Sequence, residues 1–271
     1  MLFPLLFAAA HAAPEMPVPV ANRPATIPRA TVRVDADTTI GTGSGPVPVD
    51  LAAGFGVGVT DQFELGAQVL PLDLAPGAVQ YLSPSLYATY GAELSKVATF
   101  APTLRVFVPI GTSQQALLDG KAMFRFNADR ALRLDVGGVA TVAFDEQTAT
   151  ALAAPLSLTV SPDKRVFLTA DTAISTDPTD TRFRMPRPTD ADGVYVPLGA
   201  SIGTTFGRAN HTLTDVAIGA HLPSFAHFHP GGTDVTTDDL TVMASLSSVI
   251  PTDAARMERR HRPVRNRPVH P

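Results

Sequence analysis

Apolar and polar residues alternate with a period of two along most of this chain, the repeat of a β-strand rather than of a helix. Leu51, Ala53, Phe55, Val57 and Val59 alternate with Ala52, Gly54, Gly56, Gly58 and Thr60. Farther on, Leu132, Leu134, Val136, Gly138, Ala140, Val142 and Phe144 alternate with Arg133, Asp135 and Thr141. The pattern predicts twelve strands, at 29–40, 49–60, 63–74, 79–94, 97–110, 116–128, 131–144, 149–161, 165–175, 193–207, 213–223 and 240–251. One face of each is free of charge through most of its length, although 17% of the residues are Asp, Glu, Lys or Arg. That face meets a medium that excludes charge, either a protein core or lipid.

The connections add a second regularity. Thr60-Asp61-Gln62, Ser95-Lys96, Asp129-Arg130, Ser161 to Lys164 and Arg208 to Thr212 are tight. Between them lie Gly41 to Pro48, Ala75 to Ala78, Gly111 to Gln115, Asp145 to Thr148, Thr176 to Asp192 and Ser224 to Asp239, two of them long. An even number of antiparallel strands, tight turns at one rim and longer loops at the other is the plan of a bacterial outer-membrane barrel. Both termini then fall at the tight-turn rim. Phe63, Phe100, Phe126 and Phe206 sit beside tight turns on the charge-free face, and Phe144 lies on that face near the other rim, as in the aromatic girdles of membrane interfaces. Phe167 falls on the opposite face.

The ends differ from the middle. Leu2 to Ala10 followed by the small-x-small site Ala10-His11-Ala12 reads as a secretory signal spanning 1–12, with cleavage after Ala12. Residues 13–28 are a proline-rich linker, unable to pair as a strand or continue as a helix. The strands of the barrel occupy 29–251, and 252–271 form a basic tail expected to be disordered. Residues 256 to 271 hold six arginines against Glu258, so a chain of net charge -4 is an acidic body with a basic end. Cysteine is absent, which excludes disulfides and thiolate metal sites.

Signal, hairpin pattern and segments such as Gly54-Phe55-Gly56-Val57-Gly58-Val59-Thr60-Asp61-Gln62-Phe63-Glu64-Leu65-Gly66 resemble a Gram-negative outer-membrane β-barrel. The resemblance covers residues 29–251 and implies an all-β fold: one antiparallel, up-and-down transmembrane barrel of about twelve strands. It also implies outer-membrane lipids and the barrel assembly machinery as partners, with both termini in the periplasm. The last strand closes on Val249-Ile250-Pro251, where such barrels usually end on an aromatic residue. A secreted soluble β protein shares the same periodicity, but its solvated face is normally rich in Lys and Glu, and this chain has only Lys96, Lys121 and Lys164.

In a barrel the second face lines the lumen. By phase it carries Arg33, Arg105, Lys121, Arg125 and Arg133 against Asp35, Asp37, Glu64, Glu93, Asp119, Asp135, Asp171 and Asp215, an excess of carboxylates that predicts a mild preference for cations. Twelve strands enclose more room than side chains fill in an eight-stranded barrel and less than a sixteen-stranded porin leaves open. The expected function is passive passage of small polar or amphipathic solutes; the alternative is a structural or surface-interaction barrel plugged by its own ion pairs. No catalytic, cofactor or metal site is assigned. His227 and His229 in the last long loop read first as a polar, solvated loop, second as weak metal ligands and last as catalytic groups. Export argues against a nucleic-acid partner, and the basic tail suits anionic envelope components.

Overall fold

The computed structural model describes residues 19–42, 47–75, 78–110, 116–128, 131–144, 149–176, 193–207, 212–237 and 240–252. The signal segment 1–12, residues 13–18 of the linker, 177–192 of one long loop and the tail from 253 lie outside the described residues. Sixteen strand segments form one antiparallel sheet. They are β1 (Thr31–Gly41), β2 (Val49–Gly58), β3 (Phe63–Gln68), β4 (Leu72–Ala75), β5 (Ala78–Tyr81), β6 (Ser85–Tyr90), β7 (Ala92–Glu93), β8 (Ala98–Phe107), β9 (Ala116–Asn127), β10 (Leu132–Phe144), β11 (Ala149–Val160), β12 (Val166–Ser175), β13 (Val194–Gly207), β14 (Leu213–His229), β15 (Gly232–Val235) and β16 (Thr241–Pro251).

Twelve of these segments are staves. The sheet runs β1, β16, β14, β13, β12, β11, β10, β9, β8, β6, β3, β2 and closes where β2 pairs again with β1. Closure is what makes strands tolerable in lipid, because no edge is left with unsatisfied N–H and C=O groups. Thr31 is opposite Pro251, so the first and last strands begin and end at the rim of the tight turns. Among the described residues no helix is long and apolar enough to cross a membrane.

The wall is inverted relative to a soluble protein. Phe55 is 43% exposed and Ile218 60%, while Glu64 is 2% exposed and Thr159 and Thr205 are also fully buried. The buried apolar cluster is correspondingly small, Phe107, Leu117 and Ala143. Exposed apolar and buried polar strand faces exclude the soluble β protein, whose core would be the charge-free face. Phe126 and Phe206 are exposed near the tight-turn rim and Phe144 near the other, whereas Phe167 points inward and fills the space over Gly203.

The expected strands depart from the pattern where proline or an extra residue breaks the ladder. The stretch 63–74 splits into β3 and β4, because the Val69 and Leu70 N–H groups both donate to the Ala53 carbonyl, a bulge that ends the first register. The stretch 79–94 likewise divides into β5, β6 and β7, with Pro84 between β5 and β6. Residues 224–239 were expected as loop, yet β14 continues to His229 and turns into β15. The ladder jumps from Val196 opposite Ala226 to Leu198 opposite Leu222, around Pro197 and Pro223, which have no N–H to offer.

Candidate functional site: the lumen and its N-terminal bar

The proline-rich segment enters the barrel. Residues 19–28 of this segment lie across the lumen at the tight-turn rim. A 3-10 turn, Val20–Asn22, carries Ala21, which is fully buried. Its N–H donates to Ser161 Oγ at 3.2 Å, and Arg133 Nη1 donates to the Val20 carbonyl at 3.0 Å. Arg23 pairs with Asp215 on β14 and donates to Thr205 Oγ1 on β13 at 2.9 Å. On the opposite wall, Ile27 N–H donates to Glu64 Oε2 on β3 at 3.1 Å and Thr26 Oγ1 to the Asp61 carbonyl at 2.9 Å.

The segment is thus a bar pinned to β3 at one end and to β10, β13 and β14 at the other. Its exit is fixed by Ala30, the one described non-glycine residue with positive φ (57°). Ala30 N–H donates to Gly58 O, and its carbonyl accepts from Thr252. Gly58 has to be glycine here, since a Cβ would run into the Pro28 carbonyl. Gly56 leaves room for Tyr87 and Glu64 in the same way. Proline suits a bar whose regular structure is one 3-10 turn, because its missing N–H groups need no partner in the lumen.

The charged residues expected in the lumen sort into three places. Beside the bar, Arg33 bridges Asp35 and Glu64, both at 2.8 Å, and Tyr87 OH donates to Glu64 Oε1 at 2.8 Å. Also beside it, Asp135 accepts from Arg125 Nε at 2.8 Å and lies 3.0 Å from Arg133 Nε, while Asp215 is taken by Arg23. These groups form three clusters of paired ions around the bar. Toward the long-loop rim, Asp37, Arg105, Asp119, Lys121 and Asp171 line a cavity of about 520 Å³, together with Asp135, His221 and several Ser and Thr hydroxyls. Glu93 is in neither place; it is exposed at the tight-turn rim, opposite Thr99.

Arg105 on β8 stands half-way round the wall from His221 on β14, whose Nδ1 is 3.6 Å from Asp171. Asp119 is the register partner of Arg105 and accepts from Thr141 Oγ1 at 3.2 Å. Tyr87 and His221 share the inward phase of the charged residues and were legible from it. Arg23 was not, because a segment without periodicity has no phase to read.

An apolar exterior, a closed antiparallel wall and a polar, ion-paired interior define a membrane-spanning β-barrel of the outer-membrane type. No protein-family model matches the chain, and no curated protein resembles it in sequence. Its fold is similar to that of an outer membrane channel from Pseudomonas putida F1, at 11% identity and a TM-score of 0.57 over 83% of this chain and 96% of that one. The translocator domain of the autotransporter NalP from Neisseria meningitidis matches at 12% identity and 0.51, covering 82% and 88%. The NanC porin matches at 7% identity and 0.51, covering 81% and 99%. At such identities the likeness is one of fold.

Proposed function

We propose that the chain is a passive outer-membrane channel for small polar or amphipathic solutes, exported by residues 1–12 in a Gram-negative cell, with both termini in the periplasm. The outer face contacts outer-membrane lipid, and the assembly machinery for such barrels inserts it. The observation that carries the channel is the cavity of about 520 Å³, lined by Arg105, Lys121, Asp119 and Asp171 and enclosed by a wall whose outside is apolar. A solute able to satisfy both signs of charge loses little on leaving water there, and the apolar side chains of Met123, Val139 and Met243 in the same lining suit an amphipathic one. The Pseudomonas putida channel and the NanC porin, named as a channel and a porin, support the same class.

The bar favours a second reading, a structural barrel closed by its own N-terminal segment. Planar-bilayer recordings of the full chain and of a chain lacking 13–28 separate the two. A channel narrowed by the bar gives small or intermittent currents that become larger and steadier on removal of the segment. If correctly folded protein passes no current in either form, the structural barrel stands instead.

A further inference from the structure

We infer that the hairpin above the long-loop rim binds one divalent transition-metal ion through His227, His229 and Asp234. The strand register brings these residues together. His227 and His229 are two apart on β14 and so share a face, and Asp234 on β15 is directly opposite His227. One donor atom from each lies within 4.8 Å of the others, and His229 Nε2 is 3.0 Å from Asp234 Oδ2. Tetrahedral coordination with metal–ligand bonds of about 2.0–2.1 Å places donors ~3.4 Å apart, so the three donors need to draw together by at most about 1.4 Å. Water completes the coordination on the exposed side, where the Asp234 side chain is 72% accessible.

Two further features point to a ligand. His227 Nε2 is buried and makes no hydrogen bond, a costly state for an imidazole nitrogen unless something occupies its lone pair. The ring is also held in position: it stacks on Tyr195 with centroids 4.2 Å apart and parallel planes, and a Cβ at Gly193 would collide with it. Coordination through His229 Nε2 moves that ring's proton to Nδ1 and releases the Gly231 N–H, which now donates to Nδ1 at 3.1 Å. Gly231 is exposed, so water takes over that amide. Two imidazoles and one carboxylate suit Zn²⁺, Co²⁺, Ni²⁺ or Cu²⁺, while Mg²⁺ and Ca²⁺ require oxygen donors throughout.

The site is independent of whether the lumen conducts, because the hairpin extends beyond the staves. Its test is a calorimetric titration of the detergent-purified full chain, stripped with a chelator, with zinc chloride. The expected result is one ion per chain, with His227→Ala and His229→Ala each weakening affinity about tenfold or more and Asp234→Asn weakening it less. A chain with His261→Ala and His270→Ala keeps the full affinity. Each variant is checked for the heat-dependent gel migration of a closed barrel, which separates loss of ligand from loss of fold. Zinc binding that survives His227→Ala combined with His229→Ala in folded protein, or no stoichiometric binding to the unaltered chain, overturns the inference.

Discussion

Adjacent residues on β13 give opposite outcomes for one and the same substitution. Ile202 is 50% exposed on the outer face, in the register row Leu168, Ile202, Ile218, and lies well inside its strand. Ser201 faces the cavity. Ile202→Arg places a guanidinium in the hydrocarbon, which near the bilayer midplane costs about 2–4 kcal/mol, or about 30- to 1000-fold in the folding equilibrium. Ser201→Arg puts the same side chain into a hydrated cavity, with Asp171 on the neighbouring strand, and should cost within about 1 kcal/mol. Urea titration of folding into lipid vesicles, read by the heat-dependent gel shift, measures both. Equal costs, or a larger cost for Ser201→Arg, would refute the inside-out wall. Leu134→Arg, closer to the tight-turn rim, should cost less than Ile202→Arg because the penalty falls with depth.

Four more outcomes are expected, three from the lumen and one from the tail. Gly58→Ala should raise the conductance of the full chain toward that of the chain lacking 13–28, because its Cβ displaces the Pro28 carbonyl; unchanged current means that the bar does not limit flow. Asp119→Asn with Asp171→Asn should lower cation preference in low-salt reversal-potential measurements and leave folding intact, whereas Asp135→Asn alone should destabilise by about 3 kcal/mol, since Arg125 and Arg133 both depend on it. A selectivity unmoved by the first pair removes these carboxylates from the conduction path. Cleavage of residues 256–271, a segment outside the described residues, should leave conductance unchanged in the same recordings.

The sequence by itself determined the staves, their alternation of tight and long connections and which side chains share a face. A period of two is a local property, carried by residues such as Phe55 and Val57 or Arg133 and Asp135, and a hairpin fold preserves it. It also placed Arg125, Arg133 and Asp135 on one phase, but whether they pair or line an open path stayed an alternative until the structure joined Asp135 to both arginines. Periodicity alone suits a core as well as lipid, and it was the scarcity of lysine on the polar face that favoured lipid; closure of β1 onto β16 and β2, with Phe55 outside and Glu64 inside, decided it. The bar was out of reach. Pro19 to Pro28 has no periodicity, and its partners Glu64, Ser161 and Asp215 are 37 to 192 residues away in sequence. The same holds for the extension of β14, where Pro223 argues locally for an end to the strand while pairing with β13 and β15 carries it on to His229. Contacts across a lumen depend on curvature and closure, which are properties of the whole sheet and not of any segment of it.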